Sequence, residues 1–212
     1  PPARGTRPAA ERGPRRWPRV ASPHMGRFRF DTATSIDGYI ADEHNSLAWL
    51  FAVPGSDEAE RDIATPESTV DVMGSTTYRW LLDDMDLVAH PEKWTEFFGT
   101  KTVVVFTSRD DLPVPEGADV RFLNGTVADN LPAIREASGD GDVWVIGGGD
   151  LAGQFLDAGA LDELAVSIAP VTLGAGAPLF PRRLESDRLH LVEAKPFGQF
   201  VRAVYEVRPA SA

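Results

Sequence analysis

The sequence predicts an α/β fold with a mostly parallel sheet and an antiparallel C-terminal edge. Three observations predict it. Short β-rich segments alternate with helix-compatible ones up to residue 162. Three strand-to-helix junctions carry glycines or small hydroxyl residues. Beyond residue 162 strands follow one another without helices between them. The 212 residues favour one domain, and 42% hydrophobic with 25% charged residues is an ordinary globular composition.

Residues 1–24 hold six arginines (Arg4, Arg7, Arg12, Arg15, Arg16, Arg19) and one acid, Glu11, with no apolar periodicity. Residues 1–25 are therefore expected to be a disordered basic extension, with the domain over 26–209 and Met25 as a natural start. Phe28 to Thr34 alternates as a first strand. Ser35 to Pro54 reads as a long loop carrying Asp37-Gly38 and Trp49-Leu50-Phe51. Ser56 caps a helix reaching Ile63. Thr69 to Met73 is a buried strand ended by Gly74, and Thr76 to Leu82 is helical. Pro91 opens a helix to Phe98. Lys101 to Thr107 is a β-branched strand, Asp119 to Leu123 a shorter one, and Val127 to Ala137 a helix. Val143 to Ile146 is a strand and Leu151 to Ala158 a helix, with Gly147, Gly148 and Gly149 between them. Glu163 to Ala169 is a strand, Pro170 to Pro181 a Gly/Pro loop, and Leu189 to Ala194 with Phe200 to Val207 a closing pair.

The net charge of -11 includes the basic head, so the body is more acidic still. Such a body disfavours non-specific nucleic-acid or membrane binding. With no cysteine, disulfides and thiolate metal sites are excluded. His44, His90 and His190 have no metal-ligand spacing, so no metal is expected. No apolar run is long enough to span a bilayer, and a cytoplasmic location is the expectation.

The junctions Met73-Gly74-Ser75-Thr76-Thr77, Phe106-Thr107-Ser108-Arg109 and Ile146-Gly147-Gly148-Gly149 carry the chemistry. In an open α/β sheet, ligands sit beyond the carboxyl ends of the strands. Glycines let backbone N–H groups approach an anion, and a helix start adds partial positive charge. Together the three junctions suit a dinucleotide. Each alone also reads as a plain turn.

Four stretches then resemble the dihydrofolate reductase superfamily, and within it the RibD C-terminal branch of riboflavin-biosynthesis reductases. They are Thr34-Ser35-Ile36-Asp37-Gly38-Tyr39-Ile40-Ala41, Val72 to Tyr78, Val145 to Gly149, and Ala169-Pro170-Val171-Thr172-Leu173-Gly174. The resemblance implies a three-layer fold with helices on both faces of a mixed central sheet. It also implies NADPH as cofactor and hydride transfer to a pterin- or pyrimidine-like ring. By the same resemblance Gly74, Ser75, Thr76 and Thr77 meet the adenosine phosphates. Thr107, Ser108 and Arg109 lie near the adenine ribose. Ile146 and Gly147 to Gly149, with Leu151 and Ala152, hold the pyrophosphate, and Ala33 and Ile40 flank the nicotinamide. A cis Gly147–Gly148 bond and a homodimer are implied too, with Pro170–Pro181 and the closing strands as the contact.

Some residues depart from that pattern. Ser75 and Asp150 stand where arginine is common, so NADPH over NADH is not secured by these positions. Asp150 reads as a helix cap, and Arg109 or Arg79 can meet a 2′-phosphate instead. The superfamily's proton-donating acid would fall near Pro54. The nearest carboxylates are Asp57 and Glu58, which argues against ordinary folate reduction. Asp37 is the acid within a matched motif, read either as a substrate-binding or proton-supplying group or as an Asp-Gly turn. Trp49 reads as a stacking surface for substrate or as core. A ribosylaminopyrimidine substrate would call for Lys or Arg near Asp37 and Trp49, and none is there. A non-catalytic nucleotide-binding module on the same fold is the remaining reading.

Overall fold

A computed structural model describes residues 26–56 and 66–209. The expectations for residues 1–25, and for the helix beyond Ser56 with Asp57 and Glu58, lie outside the described residues. In chain order the elements are β1 (Phe28–Thr34), β2 (Tyr39–Ala41), α1 (Ala48–Phe51), β3 (Val70–Gly74), α2 (Ser75–Asp84) and α3 (Pro91–Phe98). Then come β4 (Thr102–Phe106), β5 (Val120–Leu123), α4 (Val127–Ser138), β6 (Val143–Gly147) and α5 (Gly149–Asp157). The chain closes with β7 (Glu163–Ile168), β8 (Ala177–Pro178), β9 (Leu189–Phe197) and β10 (Phe200–Val207).

Side-chain alternation gives the sheet its two faces. β4 sends Val104 into one apolar cluster and Val103 and Val105 into another. β3 does the same with Val70 and Val72 against Met73. A strand alternates with a period of two, so the clusters lie on opposite faces. The first is closed by Val127 and Ile134 of α4 and Leu151, Phe155 and Leu156 of α5. Tyr78, Leu81 and Leu82 of α2 and Trp94 and Phe98 of α3 close the second. The result is three layers with helices on both faces. Phe28 of β1 meets Phe155 at 5.4 Å between ring centroids. Burying each such side chain stabilises the fold by about 1.5–3 kcal/mol.

Eight strands run in the order β5-β4-β3-β6-β1-β7-β10-β9. All neighbours up to β7 are parallel, and β10 and β9 add an antiparallel edge. Because the parallel strands point the same way, the carboxyl ends of β1, β3 and β6 come together at one edge. That edge carries the site.

Two predicted loops contain structure. Ser35 to Pro54 holds β2 and α1, and Pro170 to Pro181 holds β8, which pairs antiparallel with β2. Strands of three and two residues are too short to alternate visibly, and they form because Leu179 N–H donates to the Gly38 carbonyl at 2.8 Å. α5 begins at Gly149 rather than Leu151, because extended Gly148 (φ -86°, ψ -179°) already serves as its N-cap. No helix among the described residues is long and apolar enough to cross a membrane.

Candidate functional site

A cavity of about 750 Å³ opens where β1, β3 and β6 end. Two helices start in its wall. α2 follows Gly74 and α5 follows Gly148, and neither N-cap makes a side-chain hydrogen bond. α4, away from the cavity, is capped conventionally: Thr126 accepts from Asp129 N–H at 3.2 Å. The first turns of a helix leave N–H groups unpaired, and at α2 and α5 a ligand anion can take them.

The three glycines of the last junction do different jobs. A Cβ on Gly149 would lie 2.3 Å from the Leu179 carbonyl oxygen and 2.4 Å from that of Pro178. Gly149 is therefore required by packing. A Cβ on Gly147 would meet only Thr77 Oγ1, at 3.5 Å, and one on Gly148 only the tip of Ile40, at 4.0 Å. At Gly74 nothing lies within 4 Å. These three leave room at the cavity wall where a phosphate can approach the backbone. The Gly147–Gly148 bond is cis. The residues present thus fit a dinucleotide pyrophosphate.

The structure brings most of the expected cofactor residues together. Ala33 and Ile40, Gly74 to Thr77, Ile146 to Gly149 and Leu151 all line the cavity. Three positions differ. Ala152 is fully buried in the core beneath α5, because it faces the sheet. Arg109 lines a smaller separate pocket with Arg79. Thr107 Oγ1 accepts from Arg109 N–H at 2.9 Å, shaping that turn, and Ser108 is exposed. Asp150 does not cap α5. Its carboxylate accepts from Gln154 and from Arg182, each at 3.0 Å, and these bonds hold its pKa below the ordinary value. Arg182 also donates to Asp157 at 2.8 Å, so the acid near the phosphate end is neutralised.

Asp37 and Trp49 fall outside the cavity lining, which corrects their placement in the cleft. Asp37 accepts from the Ser35 hydroxyl at 2.6 Å and from Gly174 N–H at 2.7 Å, with Leu173 N–H at 3.1 Å. The Ser35 bond, then the Gly174 bond, lower its pKa to about 2. A carboxyl so acidic and so engaged ties the first turn to the 171–174 segment, and Gly38 (φ +83°) completes that turn. Trp49 packs against the Val53, Ala169 and Phe200 cluster, and its buried Nε1 finds no partner among the described residues.

Sequence reasoning missed the charged residues of the other end. Asp31 lines the cavity, and Arg202 donates to both its carboxylate oxygens, at 2.9 and 2.5 Å. Arg202 also donates to Ser167 Oγ at 3.2 Å. The Asp31 bond holds the guanidinium firmly charged. Trp144 Nε1 donates to the Asp31 carbonyl at 3.1 Å. A signal was present: in Phe28-Arg29-Phe30-Asp31 a charge alternates with core residues on a central strand, and such a charge needs a partner. Among the described residues no three His, Asp or Glu side chains group as metal ligands.

Residues 28–202 match the family model of the RibD C-terminal domain. The chain is 32% identical over 176 residues to the uncharacterized protein YwjB of Bacillus subtilis, covering 82% of this chain and 93% of that one. It is 29% identical over 160 residues to the riboflavin biosynthesis protein RibD of Mycobacterium tuberculosis, covering 74% of this chain but 44% of RibD. Among solved structures, a chain from Shewanella sp. PV-4, provisionally named for riboflavin biosynthesis, superposes with a TM-score of 0.62 at 27% identity, covering 87% of this chain and all of that one. Dihydrofolate reductase from Enterococcus faecalis, solved with NADP(H), superposes with a TM-score of 0.55 at 17% identity over 87% of this chain and 98% of that one, a likeness of fold. The chain therefore belongs to the RibD C-terminal domain family, on a dihydrofolate reductase-like fold.

Proposed function

We propose that this protein is an NADPH-dependent reductase that passes a hydride to a flat pterin- or pyrimidine-like heterocycle. One observation carries the reading. The cavity joins two uncapped helix starts and an open glycine turn to an apolar slot lined by Leu50, Phe51, Trp144 and Phe200. The first half suits a pyrophosphate and the second a flat ring. NADPH would supply the hydride. The chain itself orients the ring against the nicotinamide and keeps water from it. The RibD relative and the Shewanella neighbour, both named for riboflavin biosynthesis, support a reading in riboflavin-pathway chemistry. Arg79 and Arg109 share a separate pocket of about 380 Å³ with Asp83, Asp86 and Asp111, so the choice of NADPH over NADH rests on the family and not on these arginines.

A ribosylaminopyrimidine phosphate, as in riboflavin synthesis, is the second reading, favoured by those relatives' names. Against it, no lysine or arginine is among the described residues lining the cavity, and its two acids, Asp31 and Asp150, are already paired with Arg202 and Arg182. The test is NADPH and NADH binding by fluorescence, then NADPH oxidation with dihydropterins and with ribosylaminopyrimidine phosphates. Oxidation with either class supports a reductase and chooses between the readings. Tight NADPH binding without turnover on either class identifies a binding module, and no binding of either cofactor removes both. Leu191 and Val192, exposed on β9, support a homodimer through the closing edge, and sedimentation at increasing concentration checks it.

A further inference from the structure

α5 starts at the phosphate end of the cavity, and its first turn holds an acid, Asp150, that lines the same wall. An acid in that place competes with a ligand anion, because it can take the free N–H groups itself and repels a second negative charge. Among the described residues Asp150 does not take them. Its carboxylate turns along the helix, accepting from Gln154 one turn on and from Arg182, each at 3.0 Å. Arg182 comes from the segment after β8, and α5 is shaped to receive that segment. Gly149 lies against the Pro178 and Leu179 carbonyls. Gly153, four residues on and so on the same face, lies under the Arg182 stem. A Cβ there would stand 2.8 Å from Cγ and 3.1 Å from Nε. Asp157, at the far end of α5, accepts from Nε at 2.8 Å, and the Pro181 carbonyl accepts from Nη1 at 2.9 Å. The Asp150 and Asp157 side chains are 66% and 57% exposed, so these pairs add little to stability. A helix face cleared for one arginine calls for another role.

We propose that Arg182 sets the affinity of the cleft for a diphosphate, by drawing Asp150 off the first turn of α5 and cancelling its charge so that the N–H groups of that turn stay free for the anion. The proposal rests on the reading of the cleft as a dinucleotide site. Arg182 does not itself line the cavity, so the ligand meets backbone and the arginine acts through the acid, as a positioning residue. Its loss has two consequences of the same sign. The Asp150 carboxylate regains its full charge beside the phosphates, and it is free to swing onto the N–H groups they need. Removing the acid as well abolishes both consequences. A direct arginine–phosphate bond would behave otherwise, because a second loss could not repair the first. Gln154 cannot stand in for Arg182. Its amide donates to one Asp150 oxygen but brings no charge, and its carbonyl accepts from Val127 N–H at 3.4 Å.

Calorimetric titration with NADPH of the wild type, Arg182→Met, Asp150→Asn and the double variant tests this. Arg182→Met should bind about tenfold more weakly, while its urea denaturation midpoint stays close to the wild type's. Asp150→Asn should bind at least as tightly as the wild type. Arg182→Met/Asp150→Asn should recover the wild-type affinity. Gly153→Ala reaches the same seat without altering any charge, and alanine suits a helix. Its methyl displaces the Arg182 stem, so affinity should fall, and adding Asp150→Asn should restore it. An Arg182→Met affinity equal to the wild type's, or a double variant as weak as Arg182→Met, overturns the proposal. If Arg182→Met does not fold, Gly153→Ala with and without Asp150→Asn decides in the same terms. The reading of the cleft fails separately. A wild type that binds neither NADPH nor NADH removes the dinucleotide site and this role with it, whereas wild-type binding indifferent to Arg182 removes the role alone.

Discussion

The two ends of the cleft are built from different materials. The phosphate end is backbone: two helix starts, Gly74, Gly147 and Gly148, and room where side chains would stand. The ring end is side chain: a full negative charge on Asp31, a full positive one on Arg202, and the Trp144 indole. Partial charges of N–H groups need no partner beyond their helix and are inexpensive to expose. Full charges away from water must be matched in the same fold. The ends should therefore fail differently, and their failures measure the difference.

The largest effect is expected at the ring end. Asp31→Asn leaves the Arg202 guanidinium enclosed without its counter-charge and should destabilise the protein by about 3–5 kcal/mol. Arg202→Met should cost as much. Asp31→Met/Arg202→Met should recover most of that loss, because two apolar side chains replace a pair that was costly to desolvate. Urea denaturation of the four proteins reads the cycle. Additive losses in the double variant would mean that the two side chains do not act as a pair.

Next comes the phosphate end, where one methyl group distinguishes two neighbouring glycines. Gly149→Ala drives its Cβ against the Pro178 and Leu179 carbonyls and should cost about 1–3 kcal/mol. Gly147→Ala meets only Thr77 Oγ1, at ordinary contact distance, so its stability should change by less than about 1 kcal/mol. Its effect should fall on NADPH instead, weakening binding about tenfold or more by filling the space a phosphate occupies. Thermal melts with and without NADPH separate the two. Equal destabilisation by both variants would contradict the division of roles between the glycines.

The same contrast explains what could be read from the sequence. Gly147, Gly148 and Gly149 are adjacent in the chain, and so are Gly74 to Thr77, so a backbone site shows up as a local motif. The strands around them were legible because buried strands of a parallel sheet are continuous apolar runs, as in Thr102 to Phe106. Asp31 and Arg202 are 171 residues apart and meet only through the register of β1, β7 and β10. No local pattern encodes that meeting. The motif acid, Asp37, drew attention because it sits beside a glycine in a matched stretch, yet its neighbours in space, Leu173 and Gly174, lie 136 and 137 residues away.

The smallest expected effect concerns that acid, and it tests whether Asp37 belongs to the scaffold of the cleft. The Ser35 hydroxyl and the Gly174 N–H favour its ionised form, with a folded pKa of about 2 against an ordinary 3.8. A group whose pKa is lowered by folding stabilises the folded state above its ordinary value, and that contribution disappears as pH falls through the folded one. Above pH 3.8 the wild type should protect the Leu173 and Gly174 amides from exchange better than Asp37→Asn does. Between pH 3.8 and about 2 the two proteins should converge, because the wild-type carboxyl then takes up its proton. The carboxylate is exposed, so water screens the contribution and the global stability should barely move. Protection that is the same in both proteins at neutral pH would detach Asp37 from the 171–174 segment. It would then return to consideration as a proton source, because a carboxylate not spent on Leu173 and Gly174 is free to turn toward the cavity that Ile40, three residues on, already lines.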